Sequence, residues 1–166
     1  MIELRKINQE NFEPVLKLKL ADGQENFVAP NIYSLAQAYV STIDTEEGLK
    51  PPIAFAIYNN GEVIGFAMME YEKIEEDEML FKEFGDRAVY NFFRFMIDKK
   101  HQGKGLGKQA MKKILEFLRS SPQGEVDAIS LSYEPTNEVA RKLYASSGFV
   151  ETGHLEDGEM VARLGL

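Results

Sequence analysis

The stretch from Arg94 to Lys108 constrains the fold more than any other part of the sequence. It reads R-F-M-I-D-K-K-H-Q-G-K-G-L-G-K. The apolar run Phe92–Ile97 predicts a buried strand, which is followed by a basic turn, alternating glycines and a helical pattern. This arrangement brings backbone N–H groups and a helix N-terminus against a polyphosphate. By itself, it is equally compatible with a tight connection that binds nothing.

Two familiar glycine motifs do not fit this turn. A Walker loop requires Lys and then Ser or Thr, but Lys108 is followed by Gln109. The dinucleotide fingerprint G-x-G-x-x-G requires its third glycine one position later than Gly107. What remains is the pattern Q-x-x-G-x-G with lysines that can neutralise a diphosphate. These residues are Gln102, Gly103, Gly105 and Gly107, with Lys100, Lys104 and Lys108.

Length, charge and composition limit the class of protein. The 166 residues predict a single domain over 1–166. A net charge of −8 argues against nucleic acid as a partner and fits a small cationic molecule better, although charge taken alone is best explained by solubility. The chain has no cysteine and two histidines, so we expect no metal site. We see no membrane-spanning run and no signal-peptide layout, and we therefore expect a cytoplasmic protein.

Periodicity and turn signals predict the element order β-α-α-β-β-β-α-β-α-β-β. Asn59–Gly61 predicts a hairpin turn, and Ser34 matches a capping box at a helix start. The acidic segment Glu70–Glu78 is typical of a solvated loop, although its acids could also bind a cationic substrate. The predicted strands lie at 2–6, 53–58, 62–69, 88–97, 128–133, 149–153 and 159–164. Besides the helix that starts at Ser34, the predicted helices lie at 11–20, 106–118 and 137–147.

A second motif follows about thirty residues after the glycine turn. Asn137, Ala140 and Tyr144 are spaced by three and four, which places them on one face of a helix. Asn137 offers an amide, Ala140 allows close approach of a ligand, and Tyr144 presents a hydroxyl. Read without the first motif, Tyr144 is better explained as a core aromatic residue with an exposed tip.

Together the two segments resemble motifs A and B of the GCN5-related N-acetyltransferase (GNAT) family. The first is Q-x-x-G-x-G opening a helix, and the second is N-x-x-A-x-x-L-Y-x-x-x-G-F over Asn137–Phe149. Within the family, Val63–Met68 and Arg94–Gly107 resemble bacterial spermine/spermidine acetyltransferases. The resemblance implies an α/β GNAT fold. Such a fold has a mixed twisted sheet of about six to seven strands, helices on both faces and a splayed parallel strand pair that binds acetyl-CoA.

The resemblance also implies residue roles. Backbone groups of Phe95, Met96 and Ile97 would bind the pantetheine and the acetyl carbonyl. Asn137 would contact the pantetheine, and Lys142 would contact the nucleotide phosphates. Tyr144 would protonate the departing thiolate. The turn that would hold the pyrophosphate consists of Gln102, Gly103, Lys104, Gly105, Leu106, Gly107 and Lys108.

The reaction implied is direct attack of a neutral amine on the thioester, with a polyamine as the amine. The polyamine branch often has an acid where this chain has Phe93, so other acids are expected to bind the substrate. The candidates for amine binding and for the general base are Glu25, Glu70 and Tyr71. Alternatives are acetylation of a protein N-terminus, an amino acid or an aminoglycoside, or a sensor that binds acyl-CoA without catalysis. The resemblance also allows for a homodimer.

Overall fold

The computed structural model describes residues 1–43 and 50–166. Its strands are β1 Ile2–Lys6, β2 Ile53–Asn59, β3 Glu62–Lys73, β4 Ala88–Ile97, β5 Ala128–Tyr133, β6 Val150–Glu156 and β7 Glu159–Gly165. Its helices are α1 Phe12–Leu16, α2 Asn31–Val40, α3 Met79–Phe84, α4 Leu106–Leu118 and α5 Glu138–Ser146.

The strands form one seven-stranded sheet in the order β1-β2-β3-β4-β5-β7-β6. All neighbours are antiparallel except β4 and β5, which are parallel. The pairing between β4 and β5 covers only Val89 to Asn91 and Ala128 to Ser130. Beyond Asn91 and Ser130 the two strands run on without pairing to each other, which forms a fork. The splayed strand pair that the resemblance implied is therefore confirmed.

Helices cover both faces of the sheet because the strands alternate apolar side chains between the two sides. The apolar side of α4, which includes Met111, Ile114 and Leu118, packs with Phe55 and Tyr90 of the sheet. On the other face, α1 and α2 pack on a separate cluster whose buried members are Val15, Ala56, Tyr58, Phe66, Met68 and Met96.

Several predicted boundaries were wrong. Ser34 does not cap α2, because the helix begins at Asn31 and the Ser34 hydroxyl donates to the Pro30 carbonyl within its first turn. The helix predicted over 11–20 is limited to Phe12–Leu16. The acidic segment is a loop only in part: Glu70 and Glu72 lie on β3, which extends to Lys73, whereas residues 75–78 are exposed in the turn before α3, a helix that was not predicted. Packing of Met79 and Leu80 on Val89 and Ala128, which are distant in sequence, explains α3.

Candidate active site

The fork between β4 and β5 is the centre of the candidate site. Phe95, Met96 and Ile97 lie on its β4 arm and pair only with β3, opposite Ala67, Phe66 and Gly65 respectively. Their backbone edge toward β5 is therefore free of sheet hydrogen bonds from that strand. A ligand with amide groups can bind along such an edge as an additional strand would.

The glycine turn connects the β4 arm to α4. Gly103 and Gly105 have φ of 72° and 71°, a conformation that glycine adopts without steric cost. From Gly103 to Lys108, no backbone N–H donates a hydrogen bond to any residue that the structure describes. These donors converge at the N-terminus of a 13-residue helix, where the helix dipole favours an anion.

Side chains of the turn divide into anchoring and exposed groups. Gln102 anchors the turn, because its Nε2 donates to the Ile97 carbonyl at 2.9 Å and to Gln24 Oε1 at 2.8 Å. Lys104 and Lys108 are exposed, and Leu106 is half-buried. The Gln102 side chain is thus engaged in holding the loop, which leaves the backbone and the lysines to face an anion.

Asp98 is a further anchor that the sequence analysis did not single out. Its side chain is buried and accepts hydrogen bonds from the backbone N–H groups of Lys19 and Lys100, at 2.8 and 3.0 Å. Burial alone would raise the pKa of this carboxyl. The two N–H donors, with the charges of Lys100 and His101, outweigh that effect and hold the pKa below its usual value.

The second motif lies beside the turn. A side chain built on Gly107 would contact Ile97, Phe95 and Leu143 at 3.7–3.9 Å, so β4, α4 and α5 meet at this point. Asn137 is the N-cap of α5, and its side chain accepts from the Ala140 N–H at 3.1 Å. Lys142 is exposed on the same helix. The structure therefore brings the two motifs together at the open end of the fork, where β4 leads into the glycine turn.

Tyr144 is buried between Tyr133 and Phe149, with ring centroids 5.6 and 5.9 Å away. Burial raises the pKa of Tyr144, and the nearby charge of Glu159 raises it further. The phenol therefore remains protonated at neutral pH, which is the form that can donate a proton.

An acidic cavity of about 470 Å³ opens over the apex of the fork. Its floor contains Asn91 and Ser130, the last paired residues of β4 and β5, together with Phe93 and Ser132 beyond them. Its walls are α3 and the β6–β7 hairpin. The carboxylates that line it are Glu72, Glu78, Glu156, Asp157 and Glu159.

Other charged groups around the cavity are already paired. His154 Nε2 lies 2.6 Å from Glu83 Oε1, which ties the hairpin to α3. Ser132 Oγ donates to Glu159 Oε2. Arg94 is half-buried beside the fork, and its guanidinium donates to Ser34 Oγ at 3.2 Å. The cavity thus keeps a negative potential over the apex of the fork.

The predicted substrate residues do not lie together. Glu70 is half-buried opposite Asn91, and burial raises its pKa while Arg94 lowers it. Glu25 is exposed and lines a second cavity of about 420 Å³ near Met96. Tyr71 faces the opposite side of the sheet, where it packs edge-on against Tyr90 at 6.0 Å between centroids. Strand alternation separates Tyr71 from Glu70, and this signal was available in the sequence.

In 1–43 and 50–166, no three or more His, Cys, Asp or Glu side chains are grouped so that they could hold a metal ion. No helix in the same ranges has the length and apolar character needed to cross a membrane.

Comparison with known proteins places the chain in a family. The model of the acetyltransferase (GNAT) family matches residues 17–149. The chain is 28% identical over 162 residues to a spermine/spermidine N(1)-acetyltransferase of Bacillus subtilis, covering 96% of this chain and 95% of the relative. It is 27% identical over 124 residues to an aminoglycoside N(6')-acetyltransferase type 1 of Klebsiella pneumoniae, covering 75% of this chain and 59% of the relative.

Solved structures share the fold at lower identity. The PaiA N-acetyltransferase of Thermoplasma acidophilum, solved in complex with coenzyme A, superposes with a TM-score of 0.65 at 13% identity, covering 100% of this chain and 99% of that one. The aminoglycoside acetyltransferase AAC(6')-Ib, in complex with paromomycin and acetyl-CoA, superposes with a TM-score of 0.70 at 19% identity, covering 98% and 91%.

Sequence reasoning did not nominate Asp98, Ser130 or Glu159, and it named Glu72 only as one acid of the segment Glu70–Glu78. Glu72 and Asp98 could have been found from the sequence, because Glu72 alternates with Glu70 on a strand and Asp98 is an acid in a basic turn. Nothing in the local sequence marks Ser130 or Glu159 as site residues. They reach the cavity because β7 inserts between β5 and β6, a pairing that local sequence does not encode.

Proposed function

The chain belongs to the acetyltransferase (GNAT) family and is an N-acetyltransferase, and we propose that it transfers an acetyl group from acetyl-CoA to a primary amine of a polyamine such as spermine or spermidine. The proposal concerns the acceptor and the residues that act on it.

The acidic cavity over the fork carries the proposal for the acceptor. Its five lining carboxylates provide a site for several ammonium groups of one molecule. Its floor includes the last paired residues of β4 and β5, so an amine bound there lies next to the point where the strands separate. A polyamine carries several positive charges on one flexible chain, which suits a cavity lined by several carboxylates.

In this proposal the donor lies in the fork. The free N–H groups from Gly103 to Lys108 bind the pyrophosphate, with Lys104, Lys108 and Lys142 adding positive charge. The backbone of Phe95 and Ile97 holds the pantetheine, together with Asn137. The Met96 N–H stabilises the oxyanion that forms when the amine attacks the thioester carbonyl.

Tyr144 completes the proposed reaction. As the C–N bond forms, the C–S bond breaks and the leaving sulfur takes the phenolic proton of Tyr144. No covalent enzyme intermediate is required, which suits a chain without cysteine.

An aminoglycoside is the second candidate acceptor, because the comparisons include aminoglycoside acetyltransferases at similar identity. Aminoglycosides also carry several ammonium groups, so charge does not separate the two candidates. The two differ in shape, since an aminoglycoside is built of linked rings and a polyamine is a single flexible chain, and the substrate panel distinguishes them.

The test is a substrate panel followed by thiol release from acetyl-CoA. We expect turnover with spermidine and spermine that exceeds turnover with kanamycin and with a peptide N-terminus. Turnover restricted to kanamycin or to the peptide would refute the polyamine assignment. Calorimetric binding of coenzyme A without turnover of any amine would favour a sensor.

A further inference from the structure

Glu159 lines the acidic cavity beside the arms of the fork and not at its base. Ser130 is the last residue of β5 that pairs with β4, and β5 continues to pair with β7 as far as Tyr133 opposite Met160. Glu159 is the residue before Met160, so its backbone lies four residue positions beyond Ser130. At the usual strand rise these positions place Glu159 roughly 13 Å past the apex of the fork.

The β4 arm carries the proposed donor-binding residues at the same level. Asn91 pairs with Ser130, and Phe95 lies four residues beyond Asn91 on the parallel strand. The irregular pairing of β4 with β3 just beyond Asn91 adds one residue to β4, which moves this level toward Met96. Glu159 therefore lies level with the part of the β4 arm that is proposed to hold the thioester.

The side chain of Glu159 extends from β7 to the β5 arm. Its Oε2 accepts a hydrogen bond from Ser132 Oγ, two residues beyond Ser130. Its Oε1 makes no hydrogen bond to any residue in 1–43 and 50–166. Glu159 is half-buried, whereas Glu156 and Asp157 of the same hairpin are exposed. The carboxylate is thus held over the β5 arm by one oxygen, and its other oxygen is available to a ligand.

The charge of Glu159 also acts on the proposed proton donor. Burial raises the pKa of Tyr144 first, and the negative charge of Glu159 raises it next. Within the described part of the chain, no other carboxylate that lines the cavity contributes to this rise. This agrees with the strand register, because the phenol of Tyr144 is proposed to protonate the sulfur that leaves from the thioester.

We infer that Glu159 is the residue that binds the reacting nitrogen of the acceptor beside the thioester. An ionised carboxylate accepts hydrogen bonds, and both an ammonium and a neutral amine have N–H groups to donate. Glu159 can therefore hold the nitrogen before and after it loses its proton, which keeps it in position to attack the thioester carbon. This inference rests on the proposed function, because it requires a donor in the fork and an amine in the cavity.

The test compares Glu159→Gln with the wild type, using putrescine, spermidine and spermine at saturating acetyl-CoA. Glutamine keeps the length of the side chain and an acceptor for the Ser132 hydroxyl, so the fold should be retained. We expect kcat/KM to fall by about 10- to 100-fold, the scale of a lost hydrogen bond to a charged group. The factor should be the same for the three amines, because they share the reacting nitrogen and differ only in their distal groups.

Two results would overturn the assignment. The first is a loss below about threefold. The second is a loss that grows from putrescine to spermine, because Glu159 would then contact a distal ammonium and not the reacting nitrogen. If the wild type does not acetylate putrescine, the comparison of spermidine with spermine decides.

Glu76→Gln is the matched control, because Glu76 is exposed in the turn before α3 and does not line the cavity. It removes the same charge and should retain wild-type kcat/KM. Coenzyme A affinity should be equal in all three proteins, which verifies folding. If Glu159→Gln does not fold, Glu159→Asp replaces it. This shorter side chain should lower kcat/KM by one factor for all the amines, and an unchanged kcat/KM would refute the contact.

The substrate panel separates failure of this inference from failure of the proposed function. If the wild type acetylates only a different amine, the polyamine assignment is wrong, and Glu159→Gln and Glu76→Gln are compared with that amine under the same threefold limit. If the wild type acetylates spermidine and Glu159→Gln does so equally well, only the assignment of Glu159 is wrong.

Discussion

Tyr144 combines the features of a core residue and of a proton donor. Its ring packs between two aromatic rings, as a core residue would. Its hydroxyl makes no hydrogen bond to the described residues, and its pKa is raised by burial and by Glu159. Tyr144 therefore fits both interpretations of the sequence, core aromatic residue and proton donor. Only a substitution that keeps the ring can distinguish the two roles.

Tyr144→Phe provides that separation. The ring packing is retained, so we expect coenzyme A affinity and the thermal midpoint to stay close to wild type. Without the phenolic proton the thiolate leaves less readily, and kcat should fall by about 100-fold. Steady-state kinetics, together with calorimetric coenzyme A binding, measures the two effects. An unchanged kcat would remove Tyr144 from the reaction.

At the scale of elements, the fork depends on how closely β3 approaches β4. A Cβ on Gly65 would lie 2.5 Å from the Met96 carbonyl oxygen and 2.9 Å from Ile97 Cδ1. The backbone oxygen cannot rotate away as a side chain can. Gly65 therefore allows β3 to support the arm of the fork that is proposed to hold the thioester.

Gly65→Ala should disturb both stability and donor binding. We expect the free energy of unfolding to fall by about 1–3 kcal/mol, which is typical of overpacking, and KM for acetyl-CoA to rise. Urea denaturation and initial-rate kinetics measure the two effects. Stability equal to wild type would show that the strands separate at no cost.

Gly107→Ala is the comparison for stability. A Cβ there would make ordinary contacts of 3.7–3.9 Å, and Gly107 lies within α4. Alanine favours a helix over glycine by about 1 kcal/mol, so this variant should be at least as stable as wild type. Opposite signs for the two glycine substitutions would establish that the clash, and not the loss of glycine flexibility, destabilises Gly65→Ala.

For the whole molecule, the charge distribution matters more than the net charge of −8. Exposed lysines flank the glycine turn, while carboxylates line the cavity over the fork. The site therefore presents opposite potentials to an anionic donor and a cationic acceptor. Interactions of this kind are weakened by salt.

The salt dependence of KM should increase with the charge of the acceptor. Between about 20 and 200 mM NaCl, we expect KM for spermine to rise several-fold, KM for spermidine to rise less, and KM for a monoamine to change little. Initial rates at saturating acetyl-CoA measure this series. Equal salt dependence for all three amines would argue against binding of several ammonium groups in the cavity.

Much of the fold could be predicted because its signals are local. The turn at Asn60 and Gly61, with φ of 52° and 84°, lies where the sequence placed it. The apolar face of α4 is buried as its spacing predicted. Short helices were harder to predict, because α1 and α3 form where tertiary contacts stabilise them.

The sequence by itself determined the glycine turn and most of the strands and helices, because these depend on backbone conformation and periodicity over a short stretch. Its two motifs indicated the family, and the resemblance to that family implied the sheet with its splayed strands. The tertiary structure alone decided which acids meet. Glu72 and Glu159, far apart in the chain, line one cavity because β4, β5 and β7 are adjacent in the sheet. Burial of a carboxylate and the charges that surround it depend on this arrangement.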